Sequence, residues 1–356
     1  MSQHPNPAAV QAAHQFVADV RTRVGKVVVG QDVVVERVMI ALLTGGHLLL
    51  QGMPGLAKTL LVNTVAKAIA LDFRRIQFTV DMLPSDIVGS EVVDQKTGDF
   101  RIHRGPVFTN LLLADEINRA APKVQGAMLE AMQERKVTLG GQTMRLPTPF
   151  LVIATQNPVE QSGTFELPEA QLDRFMLLHR LGYPGRDEEQ DILQRQLGMG
   201  LRKEEGGAVP KTAFDMIDDS PVGTKADLVA AMEAVQGVHV SEVFLRHSVE
   251  LVRRTRESKD LDFGCSPRAG LALVNAARAR AIIRGRDYVT PEDLFDLADL
   301  NRNLGLVRRE KVGCGIAKDI KGDQRLGRQK FGKFGLARGR QSTFEVGALE
   351  VAQTRD

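Results

Sequence analysis

Residues Leu48–Thr59, LLLQGMPGLAKT, constrain the fold of this chain more than any other stretch. Three consecutive leucines make a short apolar run of the kind that forms a buried strand. The chain then turns through Gly52, Pro54 and Gly55 and reaches Lys58 and Thr59 before the helix-compatible run LLVNTVAKAIA. A strand, a glycine-rich loop and a helix, in that order, are the context of a phosphate-binding loop. Its backbone N–H groups point inward at phosphate oxygens, and the positive end of the helix favours the same anion. The expected nucleotide contacts are Gly52, Pro54, Gly55, Leu56, Ala57, Lys58, Thr59 and Leu60. Lys58 reaches the β/γ-phosphates, and the Thr59 hydroxyl ligates Mg²⁺.

The usual pattern is GxxxxGK[ST], and Ala57 stands here in place of the second glycine. A methyl group is tolerable there if the residue has helical φ, which is the expectation. Taken alone, the stretch also fits a glycine turn that binds nothing. The rest of the chain decides between the two.

At 356 residues the chain is long enough for two domains and a sizeable core. No run approaches the ~20 apolar residues of a membrane span. The N-terminal MSQHPNPAAV lacks the basic start and apolar stretch of a secretory signal. Cys265 and Cys314 are far apart, which suits a reducing compartment and neither a disulfide framework nor a zinc site. A cytoplasmic protein is expected. The net charge of +3 is unevenly spread. Residues 301–356 hold 13 Lys+Arg against 6 Asp+Glu, which leaves 34 against 38 for the preceding residues. The body is therefore not a basic nucleic-acid-binding module.

Residues 8–24 read as an amphipathic helix, and Gly30, Gln31 and Asp32 form a turn that caps a second helix from Val33 to Leu43. FRRIQFTV (73–80) reads as a strand. Residues 81–109 hold a hairpin-like core turned at Lys96–Asp99, too long for a plain connection. His103 within it reads as a solvated side chain. NLLLADEINRA (110–120) is the second anchor. Its apolar strand, Leu111 to Ala114, ends in Asp115 and Glu116, carboxylates at the carboxyl end of a parallel strand, where a doubly wound sheet binds ligands. Asp115 is expected to hold Mg²⁺, mostly through water. Glu116 is expected to polarise the attacking water as general base.

A helix (Pro122–Arg135) and a hairpin turned at Gly140–Gly141 come next. The strand PFLVIATQNP (149–158) ends in Thr155, Gln156 and Asn157, and an amide there can bond the γ-phosphate or position the water. LPEAQLDRFMLLHRL carries Asp173 and Arg174 on a helix that runs into a last strand, Phe175–Leu181. Arg174 is open to a simpler reading, a pair with a neighbouring carboxylate. Beyond Gly185 the pattern is mainly helical, with helices expected at 186–197, 225–237, 242–257, 267–285 and 291–300 and a loop or linker after the first. Ser266 caps the helix of SPRAGLALVNAARARA, Pro267 opens it, and Arg268 sits in its first turn. A cation there is disfavoured by the helix dipole, which points to an anionic partner such as a phosphate. The last 56 residues, with nine glycines and no sustained periodicity, are expected to be largely disordered or loosely attached.

Together these residues resemble the AAA+ ATPases, and within them the MoxR family. GMPGLAKT resembles the family's Walker A motif, alanine included, and LLLADEINRA its Walker B motif. ATQNP, with Asn157, is similar to sensor 1. LPEAQLDRF is similar to the arginine-finger segment, with Arg174 as the finger, and SPRA to sensor 2, with Arg268. VGQD, with Gly30, resembles the nucleotide-proximal entry segment. The 86–108 hairpin corresponds to the insert in the second helix. The likeness covers roughly residues 10–300; after DLFDLADL the chain departs from the family's helical lid.

The resemblance implies an α/β fold: a P-loop AAA+ core on a doubly wound, five-stranded parallel sheet over 1–184, N-terminal helix included. A small α-helical lid over 185–302 and the basic, Gly-rich tail over 303–356 follow. It implies a Mg²⁺-dependent ATPase, binding ATP, that forms a homo-oligomeric ring, a hexamer, and acts as a chaperone-like remodeler. Its implied partners are a von Willebrand factor A domain protein or an enzyme complex under maturation, metal-cofactor insertion included. Two other classes stand against this. A nucleic-acid-dependent motor needs basic hairpins, and the 136–147 hairpin offers only Lys136 and Arg145. A non-hydrolysing nucleotide-sensing scaffold lacks the catalytic carboxylate, and Glu116 is present.

Overall fold

The computed structural model describes residues 6–94, 96, 98–158, 163–204, 207–258 and 264–298. The tail from residue 299, and Cys314 with it, lies outside the described residues. Two helices open the chain, α1 (Pro7–Gly25) and α2 (Asp32–Thr44). They lead into β1 (Leu48–Gln51), the phosphate loop, α3 (Lys58–Ala68) and β2 (Phe73–Gln77). An insertion of α4 (Pro84–Val88), β3 (Gly89–Val93) and β4 (Phe100–Arg104) precedes β5 (Leu111–Asp115). After α5 (Pro122–Glu134) come the hairpin β6 (Lys136–Leu139) and β7 (Gln142–Arg145), then β8 (Leu151–Gln156). Short α6 (Glu169–Leu172) and β9 (Leu177–Arg180) complete this part.

Five of these strands form one parallel sheet in the order β2-β5-β8-β1-β9. The fold is the expected α/β core. Its central strands are apolar throughout because both faces are covered: Leu48–Leu50, Leu111–Ala114 and Leu151–Ala154 are all buried. The polar residues come only at the carboxyl ends. There the register sets Gln77 beside Asp115, and Gln51 between Gln156 and Arg180. The chain leaves β1 for the far edge and later returns to β1's other side. The crevice at that reversal is where such sheets bind ligands.

The helical part comprises α7 (Arg186–Gly198), α8 (Lys225–Gly237), α9 (Glu242–Glu257), α10 (Pro267–Ile283) and α11 (Pro291–Ala298). Ser266 caps α10 by accepting from the Ala269 N–H at 3.3 Å, with Pro267 at its first position, as its sequence predicts. In α9 the buried residues Phe244, Ser248, Leu251, Val252 and Thr255 follow the helical period and face the bundle. Both N-terminal helices, α1 and α2, pack on α8 and α10. A buried ion cluster reinforces that contact: Glu36 on α2 meets Arg37 at 3.0 Å and Arg280 on α10 at 3.5 Å. Arg280 in turn meets Asp296 at 2.5 Å.

Several expectations are corrected. The segment 198–210, read as a loop or linker, holds two paired antiparallel strands, β10 (Leu201–Glu204) and β11 (Gly207–Pro210). The strand read over 73–80 stops at Gln77. Helix α6 ends at Leu172, so Asp173 and Arg174 lie in the turn before β9, not on the helix. The hairpin turn at Gly140 and Gly141 is as expected, both residues taking left-handed φ (53° and 75°).

Candidate active site

The phosphate loop leaves the carboxyl end of β1. Gly52 faces the Leu181 side chain so closely that an added Cβ would stand 2.6 Å from its Cβ, so no larger residue fits without a shift. Leu56 and Leu60 are buried and anchor the loop to the core, whereas Pro54, Gly55 and Ala57 are exposed. Ala57 does not have helical φ. It lies in the left-handed region (φ 52°, ψ 24°), the conformation that glycine adopts without penalty and alanine at a cost of about 1 kcal/mol. The chain therefore carries a strained cap at the head of α3, directly before Lys58 and Thr59.

Lys58 Nζ donates to the Gly52 carbonyl at 3.0 Å. Burial lowers its pKa, and the nearby Asp115 and Glu116 carboxylates partly offset that. The cation, both carboxylates and the loop thus occupy one neighbourhood at the carboxyl end of the sheet. Asp115 is buried at the end of β5, and its Oδ1 accepts from Thr155 Oγ1 at 2.6 Å. Its Oδ2 accepts from Arg75 Nη2 at 2.6 Å and Nε at 3.1 Å. Glu116 is a left-handed residue (φ 57°, ψ 48°), an uncommon state for a glutamate. Its N–H donates to Thr155 Oγ1 at 2.8 Å. Its Oε2 accepts from Gln77 Nε2 at 3.2 Å and pairs with Arg119 Nε at 2.9 Å.

Asn157 is buried just beyond β8, and its carbonyl lies 3.5 Å from the Asn118 side-chain amide. Gly30 packs against the Glu188 carboxylate of α7, which an added Cβ would meet at 2.6 Å. Arg174 and Arg268 are at the opposite end of the sheet. The Met176 N–H donates to the carbonyl of His47, the residue before β1, at 2.9 Å, which fixes the Arg174 turn at the amino end. Ser266 Oγ donates to Asp173 Oδ1 at 3.0 Å and brings the start of α10 to the same end. The Arg268 charge is near enough to His47 to help lower its pKa. Within one chain, then, neither arginine is brought to Lys58, and the phosphate expected for Arg268 is not that of its own loop.

Arg174 Nε donates to Gln133 Oε1 at 2.9 Å and Nη1 to the Ala170 carbonyl at 3.4 Å. Among the described residues no carboxylate pairs with it. Sequence reasoning assigned no role to Arg75, Gln77, Arg119 or the Thr155 hydroxyl. The period-two alternation of β2, which puts Arg75 and Gln77 on one face, is the signal that could have found two of them. The thiol of Cys265 is buried and its pKa is raised to about 11, an inert side chain. His103 is exposed, as expected.

A parallel sheet with a glycine-rich loop at its carboxyl end, paired carboxylates alongside and a helical bundle after it define an AAA-type P-loop ATPase with a lid. Comparison with known proteins agrees. Residues 47–177 match the family model for the ATPase family associated with various cellular activities (AAA), and residues 253–300 match the AAA lid domain. The chain is 43% identical over 307 residues to chaperone MoxR1 of Mycobacterium tuberculosis, covering 83% of this chain and 77% of that protein. It is 31% identical over 304 residues to protein MoxR of Methylorubrum extorquens, covering 82% and 87%. A crystal structure of a candidate ATPase from Cytophaga hutchinsonii superposes with a TM-score of 0.75 at 39% identity, covering 87% of this chain and 96% of that one. The chain belongs to the MoxR family of AAA+ ATPases. No helix among the described residues is long and apolar enough to cross a membrane.

Proposed function

We propose that this protein hydrolyses ATP with Mg²⁺ and uses the energy to remodel partner proteins in a chaperone-like way. The observation that carries this reading is the Thr155 bridge between Asp115 and Glu116, beside Lys58. One hydroxyl holds the Asp115 carboxylate and the Glu116 backbone N–H, while the Glu116 carboxylate is held separately by Gln77 and Arg119, an arrangement that supports separable work for the two residues. Lys58 binds the phosphates in the loop formed by Gly52, Pro54, Gly55, Leu56, Ala57, Thr59 and Leu60. The Thr59 hydroxyl and the Asp115 carboxylate are hard oxygen donors of the kind Mg²⁺ takes, so the donor set fits that ion. When bound, Mg²⁺ supplies charge neutralisation for the phosphates. Glu116, turned by its left-handed backbone, accepts the proton of the attacking water. Asn157 orients that water or bonds the γ-phosphate.

The location of Arg174 and Arg268 at the amino end of the sheet supports a ring, in which both act on the nucleotide of the neighbouring subunit. Arg174, which has no carboxylate partner among the described residues, fits the role of a finger that stabilises charge on the transferring phosphoryl group. We take the ring to be a hexamer in the cytoplasm. Its partner is a von Willebrand factor A domain protein or an enzyme complex under maturation, metal-cofactor insertion included. Gly30 is retained as a nucleotide-proximal position. The 136–147 hairpin, with Lys136 and Arg145 as its basic residues, supports a protein rather than a nucleic-acid substrate.

The test is Glu116→Gln. The variant should bind ATP and barely hydrolyse it, while Lys58→Ala should bind none. Turnover by the Gln variant within a few-fold of the parent rejects Glu116 as the base. The ATP-held Gln variant then serves as bait, and what it retains identifies the remodelled protein.

A further inference from the structure

Both oxygens of Asp115 are already engaged. Thr155 holds Oδ1 at 2.6 Å, and the Arg75 guanidinium grips Oδ2 with Nη2 and Nε at 2.6 and 3.1 Å. Arg75 Nη2 also donates to Gln77 Oε1, and Gln77 in turn donates to Glu116 Oε2 at 3.2 Å. A continuous chain of polar contacts thus runs from the metal-side carboxylate to the proposed base. Lys58 is not part of it, since its ammonium is turned to the Gly52 carbonyl at 3.0 Å. Among the described residues, the cations that contact the two adjacent carboxylates directly are Arg75 on Asp115 and Arg119 on Glu116, the latter at 2.9 Å.

We propose that Arg75 is a positioning residue that stands in for the metal ion at Asp115 and must be displaced when the metal enters. This rests on the reading of Asp115 as a metal ligand. Two physical facts carry it. First, a divalent cation, held directly or through its water, and a guanidinium compete for the single negative charge of Asp115, and their own charges repel across a few ångströms in a partly buried site. Second, the two partners are unequal in mobility. The Asp115 side chain is 11% exposed, whereas that of Arg75 is 41% exposed on the edge strand β2. Arg75 can swing into water at little desolvation cost; Asp115 cannot. Without this cation, the unloaded site would hold two neighbouring carboxylates with one neutralising contact between them.

Displacement also has a consequence for Glu116. When Arg75 leaves Asp115, Gln77 loses the guanidinium that fixes its carbonyl oxygen. Its grip on Glu116 Oε2 then loosens. Metal arrival and release of the base are thereby linked through one side chain.

Mn²⁺ binding to the full-length protein with saturating ADP, followed by electron paramagnetic resonance, tests the proposal without turnover. Arg75→Gln should bind Mn²⁺ about tenfold more tightly than the parent, because the competing charge is gone. Arg75→Lys, which keeps a mobile cation, should stay within about threefold of the parent. Unchanged or weaker Mn²⁺ binding by Arg75→Gln overturns the proposal. Asp115→Asn is the control: if it does not weaken Mn²⁺ binding, the reading of Asp115 itself fails. The parent offers a second measurement that needs no variant. The Arg75 Nε–H signal should be protected from exchange without metal and lose protection on adding Mg²⁺ and ADP. Protection that persists in the metal complex also overturns the proposal.

Discussion

The Thr155 hydroxyl donates to Asp115 Oδ1 at 2.6 Å and accepts the Glu116 N–H at 2.8 Å. A single side chain on β8 therefore ties the Asp115 carboxylate at the end of β5 to the backbone of Glu116, the next residue. The hydroxyl is fully used, as donor and as acceptor, and Thr155 is completely buried.

Thr155→Val keeps the shape and removes both bonds. It leaves a part-buried Glu116 N–H and a buried carboxylate oxygen without their partner, at a cost of about 1–3 kcal/mol. ADP affinity should change little, because the loop and Lys58 are untouched, while hydrolysis falls at least tenfold. Denaturant midpoints and steady-state turnover check the two halves. Hydrolysis at the parent's rate would mean that the bridge does not position the base.

The left-handed Ala57 makes an unusual forecast for a substitution to glycine. Ala57→Gly should leave stability unchanged or raise it by up to about 1 kcal/mol, as relief of strain outweighs the added freedom of the unfolded chain. Ala57→Val, β-branched at the same φ, should lower it by about 1–2 kcal/mol or more and weaken ADP binding. A thermal melt of each variant decides. A clear loss of stability in Ala57→Gly would contradict the left-handed assignment.

Arg174→Ala should bind ATP and lose ~10³–10⁵ in rate if it acts as a finger. Its location at the amino end of the sheet, away from Lys58, makes that action intersubunit. Mixed with Lys58→Ala subunits, Arg174→Ala subunits should regain activity at interfaces where an intact loop faces an intact finger. A mixture as inactive as either parent variant, with mixed rings shown to form, rules the arrangement out. Arg268→Ala should complement in the same way.

His47 predicts a pH dependence of stability. Its Nδ1 accepts the Val152 N–H at 3.0 Å and its Nε2 lies 3.1 Å from the Met132 carbonyl, a pattern that the neutral Nε2–H tautomer satisfies. Burial is the main cause that pushes its pKa down from 6.5 to about 4. The unfolded chain therefore takes up a proton first as pH falls. The stability contributed by the neutral ring is present above pH 6.5 and is lost progressively toward about pH 4, up to about 3 kcal/mol. His179, also lowered to about 4 by burial and by Arg37, adds a loss of the same sign. Nuclear magnetic resonance should show the His47 ring neutral at pH 5. A midpoint near its ordinary value would refute the burial argument.

The sequence by itself determined the parts whose signals are local. An apolar run closed by a glycine loop and Lys58, and a second run closed by Asp115 and Glu116, can each be read within about a dozen residues. Strand, turn and capping preferences act over that range. The α/β core, the glycine-rich loop, the two carboxylates at the end of β5 and the Ser266 cap of α10 were legible for that reason. The tertiary structure alone decided what depends on strand order and docking. Pairing of β5 with β8 brings Thr155 to Asp115, and pairing with β2 brings Arg75 and Gln77, from residues 40 and 39 positions away from their partners. The Ser266–Asp173 contact groups Arg268 with Arg174 at the amino end, which no helix-capping rule could reveal. Even the backbone of Ala57 belongs here, since its φ is imposed by the loop that must join β1 to α3. Local preference proposes which residues carry charge and which turn. The long-range packing of the sheet decides which of them meet.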